Sequence, residues 1–232
     1  MSHALAKNAL LNSLSMYFSS KRTALRSALQ LRSPLSVEQA EDLRVHYSNY
    51  FINLMSGIDL VRDSDQLSWK AFTEDLEAKF VTPQASDGKQ NYWYVRELRN
   101  SIVHRGMNIF SAASFRNNVP LLIAPQTVTN PDGTKVYRRF GVLLIQTIGL
   151  CEVVIGPLLE EHLGRAGLFS IQIEPEVWRE DMVTSVEEAA DFVPEWVKKM
   201  LPEALESVDA AVVHQSTIDR LKSVLKPCPL TI

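Results

Sequence analysis

A mainly all-α fold, one domain over residues 1–232 with a short β-hairpin set into it, is what the amino-acid sequence predicts. Three observations carry this. Apolar residues recur at three- and four-residue spacing through most of the chain, capping signals punctuate those stretches, and the pattern changes only between about residues 118 and 140. With 46% hydrophobic and 22% charged residues among 232, the chain is long enough and apolar enough to bury a real core.

The elements follow in order. Leu10, Leu14, Phe18, Leu25 and Leu29 predict a first helix from about Ala4 to Leu31, with a break near Ser19 and Ser20. "SPLSVEQAEDL" starts the second: Ser36 can accept from a backbone N–H while Gln39 reaches back, as in a capping box. That helix runs to about Val61 with Tyr50, Leu54 and Ile58 on one stripe. Trp69, Phe72, Leu76 and Phe80 mark a shorter third helix, and "TPQASDGKQ" is a loop by composition. "NYWYVRELRNSIVHRG" is a fourth helix, stopped by Gly106 at a position that suits a left-handed C-cap. Asn130-Pro131-Asp132-Gly133, flanked by β-branched and apolar residues, predicts the turn of a hairpin spanning about 118–140. Helix returns from Gly141 to about His162. Two or three more follow, broken near Pro194 and Pro202.

The longest apolar run, "FGVLLIQTIGLCEVVIGPLL", is interrupted by Gln146 and Glu152, which makes it a buried core helix rather than a membrane span. "SSKRTALRSALQLR" is basic and serine-bearing in the manner of an organelle presequence, but the same residues continue an amphipathic helix. Cys151 and Cys228, the only two cysteines, form no metal-binding or disulfide pattern and point to a reducing, cytoplasmic compartment. The net charge of -3 hides an uneven distribution. Lys7, Lys21, Arg22, Arg26 and Arg32 precede the first acidic residue, Glu38, and residues 90 to 140 are also basic, while Glu152 to Asp209 is acidic. A basic surface is expected beside an acidic one.

Chemistry concentrates in residues 91 to 106. At 100° per residue Val95, Leu98 and Ile102 form the core side of the fourth helix, and Tyr92, Arg96, Asn100 and His104 step along another side. Arg99 stands about 140° around the helix from His104, so one helix does not bring both to one atom. The segment Arg99-Asn100-Ser101-Ile102-Val103-His104 resembles the RNxxxH form of the motif of HEPN-domain ribonucleases. The resemblance implies an antiparallel helical bundle, here with the hairpin and extra C-terminal helices added. It also implies a homodimer whose two motifs line one cleft, and RNA cleavage without a metal or other cofactor.

In that reading His104 takes the proton of a ribose 2′-hydroxyl, Arg99 stabilises the phosphate as charge builds on it, and Asn100 orients His104 or a phosphate oxygen. Arg96 and Arg105 hold flanking phosphates. The product is a 2′,3′-cyclic phosphate. Such proteins serve in toxin–antitoxin systems, phage defence and RNA processing, so an antitoxin or a nucleotidyltransferase is a candidate partner beside RNA. In the toxin branch silenced by nucleotide transfer a tyrosine stands two residues after the histidine; here that position is Gly106.

Competing readings remain for the same residues. A non-catalytic module could hold RNA, a nucleotide or a partner protein in the same basic region, and Arg99 and His104 could be surface residues, the histidine favoured by the helix C-terminal dipole. Trp69, Trp93, Tyr92 and Tyr94 read as core or dimer contacts rather than base-stacking platforms. His46 and His214 lack a second ligand at metal spacing and read as structural, and "EEHLG" at 160 to 164 reads as a polar helix end. No glycine-rich phosphate loop, GxSxG or HExxH occurs.

Overall fold

The computed structural model describes residues 3–110, 113–170, 174–188 and 193–230. Among them the chain is mainly helical. α1 (His3–Gln30) and α2 (Val37–Asp63) form a long hairpin, α3 (Trp69–Lys79) and α4 (Gly88–Arg105) follow, and α5 (Leu144–Arg165), α6 (Pro175–Glu188), α7 (Glu195–Glu206) and α8 (Ala210–Leu225) complete the helices. Two antiparallel ribbons stand between α4 and α5: β1 (Ala113–Arg116) with β2 (Val119–Leu122), and β3 (Thr127–Thr129) with β4 (Val136–Arg138). No helix among the described residues is long and apolar enough to cross a membrane.

The helix ends have local causes. Ser36 accepts from Gln39 N at 3.2 Å and Gln39 Oε1 accepts from Ser36 N at 3.0 Å, which completes the capping box of α2. Ser68 caps α3, Asp87 caps α4, and α4 stops at Gly106 with φ 62°. Ser19 and Ser20 do not break α1. Pro202 does not break α7 either; it lies on an exposed face, where water can satisfy the carbonyl its missing N–H leaves free.

The ribbon region departs from the expected single hairpin. The turn at Asn130–Gly133 joins β3 to β4, but β2 pairs with β1, with Arg116 opposite Val119. Asn117 and Asn118 form that tighter turn at φ 50° and 62°, the left-handed region in which asparagine is tolerated. Asn118 O accepts from Ser33 N at 2.8 Å, which ties the turn to the α1–α2 connection.

One apolar core joins α1 to α5, the ribbons and α8, with Phe18, Phe51, Phe72, Ile155 and Leu221 wholly buried. A second, small cluster of Trp178, Leu205 and Ala210 holds α6 and α7 against the start of α8. The sequence places Lys21 in a basic surface, and the structure corrects this. Lys21 is 2% exposed, and its ammonium donates to Glu152 Oε1 at 2.6 Å. Tyr50 Oη donates to the same oxygen at 2.7 Å and Cys228 N to Oε2 at 2.9 Å, so one carboxylate ties α1, α2, α5 and the C-terminal segment. Beside it, burial pushes the Cys151 thiol far above its ordinary range.

Candidate functional site

α4 reaches its place through close contacts at its start. A Cβ at Gly88 would lie 1.9 Å from Glu77 O, so only glycine lets α4 begin so near α3. Asn91, buried, donates from Nδ2 to Phe80 O at 3.0 Å and Ala85 O at 2.9 Å, fixing the connecting loop. From there the helix passes α2, and its side chains divide into three groups.

Arg96 and Arg99 turn to the last turn of α2, where Asp59 receives both. Arg99 Nη2 donates to Asp59 Oδ2, and Arg96 Nη1 lies 3.4 Å from Oδ1. Arg62 adds a third guanidinium, 2.9 Å from Asp59 Oδ1, and also donates to Asp63 at 2.8 Å. Three guanidiniums thus face two carboxylates, leaving one positive charge unbalanced. Arg96 and Arg99 are 18% and 15% exposed, so that charge sits in a partly dry setting where it acts more strongly than in open water. Arg99 Nε is buried with no partner among the described residues. Burial raises the Tyr92 phenol, and Arg96, 3.5 Å from its oxygen, opposes the rise.

Arg105 and Asn100 turn the other way, to Glu97, which is 3% exposed. Asn100 Nδ2 donates to Glu97 Oε1 at 3.1 Å, and Arg105 donates to Ser101 Oγ at 2.7 Å and to Glu97 Oε2 at 3.3 Å. Arg105 also donates to Thr129 Oγ1 and Asn130 O, both at 3.2 Å. It is a strut between α4 and the β3–β4 ribbon.

His104 belongs to neither group. It is exposed on the last turn of α4 beside exposed Val103. Five residues along one continuous helix separate it from Arg99 by about 7.5 Å of rise and about 140° of rotation. The structure therefore brings Arg96 and Arg99 together and does not bring His104 to them within one chain. Among the described residues no group of three or more His, Cys, Asp or Glu side chains is arranged to hold a metal ion.

Asp59, Arg62 and Glu97 organise this region and were not singled out from the sequence. Asp59, Arg62 and Asp63 at spacings of three and four on α2 are the only local signal; their meaning depends on α4, which lies 40 residues away for the Asp59–Arg99 pair. Of the aromatic residues, Tyr92 and Tyr94 belong to the core, while Trp69 and Trp93 are only half-buried. His162 is not a polar helix end: it is 6% exposed, packs edge-on to Phe72 at 5.4 Å, and its Nε2 lies 3.0 Å from Asp75 Oδ2. His214, also buried, has Nδ1 3.0 Å from Asn8 Oδ1.

Comparisons with protein-family models, curated proteins and solved structures gave no match to the chain.

Proposed function

We propose that the chain is a metal-independent endoribonuclease of HEPN type, built on a HEPN-like bundle and acting as a homodimer. The observation that carries the reading is the setting of the RNxxxH segment. Its arginine belongs to a partly buried cluster with one excess positive charge, and its histidine stands open to solvent on the same helix. The excess charge suits a phosphate, whose oxygens gain negative charge as the 2′-oxygen attacks. The exposed imidazole suits a base that must reach a ribose hydroxyl. Because Arg99 and His104 diverge around α4, the site is composite, and two motifs facing each other across a two-fold axis supply what one helix separates.

In the reaction His104 removes the 2′-hydroxyl proton, the 2′-oxygen bonds to phosphorus, and the 5′-oxygen leaves with a proton from solvent or a second His104. The products are a 2′,3′-cyclic phosphate and a free 5′-hydroxyl. Asn100 and Arg105, both held to Glu97, keep the end of α4 rigid; Arg96 meets the flanking phosphate.

One observation favours a second reading, a non-catalytic module that holds RNA or a nucleotide. Asp59 already occupies Arg99, so a phosphate must share or displace that carboxylate. Purified chain and its His104→Ala variant, incubated in EDTA with mixed single-stranded and structured RNA, separate the two. Cyclic-phosphate ends from the intact chain, with a loss of at least about a hundredfold in the variant, support the ribonuclease. RNA bound equally by both and cut by neither supports the module.

A further inference from the structure

Two cavities flank Trp93. One, about 260 Å³, lies between α2, α3 and α4 and is lined by Arg62, Trp69, Lys89, Tyr92, Trp93 and Arg96, with Glu77 as its carboxylate. The other, about 400 Å³, lies between the start of α4 and β4, where Lys89 and Trp93 are joined by Lys135 and Tyr137. Trp93 and Lys89 line both, so the two adjoin along one groove with Trp93 as the divide between them. Its acidic members are Glu77 and Asp87, and Asp87 is already engaged as the cap of α4, accepting from Gln90 N at 2.9 Å. Four cations line the groove; Arg62 and Arg96 share Asp59, and Arg62 also holds Asp63, so Lys89 and Lys135 are the two left to meet an anion.

The aromatic rings in the groove are braced rather than loose. Trp93 stacks on Tyr137 at 6.0 Å and 14°, and the Arg96 guanidinium carbon stands 5.5 Å from its ring. Trp69 stacks on wholly buried Phe72 at 5.8 Å and 26°, so its open face is the one turned away from the core. Flat rings held on a rigid helix beside a line of cations are what a single strand needs, since every base offers a π-face and every phosphate a charge. A paired duplex keeps its bases stacked on one another and gains little from such rings. The smaller cavity falls just below the roughly 300–1,000 Å³ of whole small-molecule sites, which suits one nucleotide of a longer strand.

We propose that this groove is a track for single-stranded RNA, with a base on the open face of Trp69, Trp93 as the wall between the two cavities, and phosphates on Lys89 and Lys135 beside Arg62 and Arg96. The inference rests on the RNA reading above and names the form of RNA taken and the route by which it reaches Arg99. Asp59 makes the connection: it holds Arg62 and Arg96, which line the groove, and Arg99, which belongs to the motif.

The test is binding of a 5′-labelled 12-nucleotide oligouridylate to the full chain by fluorescence anisotropy, in EDTA and over a salt series. It is run in the His104→Ala background so that no strand is cut. Trp69→Leu is expected to weaken binding about tenfold. Lys89→Glu alters an exposed side chain, leaves the fold intact, and is expected to flatten the log–log salt slope by about 0.7 or more. An RNA duplex of the same length is expected to bind more weakly than the single strand.

Unchanged affinity and slope in both variants overturn the track, and if the intact chain still cuts RNA the ribonuclease reading survives that failure. Weaker binding in both variants, with no cutting by the intact chain, supports the track and overturns the ribonuclease. Preference for the duplex, or no binding of the oligouridylate, also overturns the track.

Discussion

The charged clusters at Glu152 and at Asp59 differ in stoichiometry and in access to water. At Glu152 one ammonium meets one carboxylate, both 2% exposed, and Tyr50 Oη and Cys228 N donate to the same carboxylate. At Asp59 three guanidiniums, 35%, 18% and 15% exposed, crowd a carboxylate that is itself 23% exposed, with Asp63 at the edge. The first cluster is neutral and closed, with the Phe18 and Tyr50 rings over the ammonium. The second is over-supplied with cations and open on one side. Charge balance and access to water separate the two: the same residue types hold a bundle together at Glu152 and, in the function proposed above, receive a phosphate at Asp59.

The largest expected effect breaks the closed cluster. Glu152→Ala strands Lys21 in the core and removes the acceptor for Tyr50 and Cys228 N, so unfolding free energy should fall by about 3–5 kcal/mol. Urea denaturation measures it. A loss under about 1 kcal/mol would mean that Lys21 finds water or another partner, and the closed description would be wrong.

Asp59→Asn should act in two directions. It removes the charge that holds three guanidiniums together, at a cost of about 1–3 kcal/mol, smaller than at Glu152 because water reaches these groups. It should also tighten anion binding. Inorganic phosphate is expected to raise the melting temperature of Asp59→Asn more than that of the parent chain. Equal shifts would remove the distinction between an open cluster and a closed one.

How much of this was legible in the sequence follows from how local each feature is. The capping box of Ser36 and Gln39, the stop at Gly106 and the core stripe of Val95 and Leu98 are settled within a turn or two of helix, and the sequence reading of them matches the structure. The mainly helical class rests on the same local periodicity. Lys21 and Glu152 are separated by 131 residues, so each could be judged only against its neighbours, and Lys21 was assigned to a surface it does not occupy. The β1–β2 ribbon was missed because Asn117-Asn118 lacks the glycine of the stronger turn signals. In the candidate site Arg96, Arg99, Asn100, His104 and Arg105 were found together on one helix, yet their division between Asp59, Glu97 and solvent depends on packing that no spacing rule encodes.

A third cluster supplies the smallest effect and bounds the comparison from the exposed side. Asp75 on α3 faces His162 and Arg165 of α5, at 3.0 and 3.2 Å, and remains open to water with a side chain 39% exposed. The contact with His162, and then the Arg165 guanidinium, hold its carboxyl below the ordinary value of 3.8. A carboxyl depressed on folding stabilises the fold above its unfolded pKa, and that contribution is lost as pH falls through the lower folded value. Asp75→Asn should therefore be slightly less stable than the parent chain at neutral pH, with a deficit smaller than that of Asp59→Asn. The gap between the two urea midpoints should narrow below about pH 4 as the parent carboxyl takes up its proton. A gap that stays constant into acid would place the cost in lost packing against His162 rather than in charge, and would set this contact beside the closed cluster instead of apart from it.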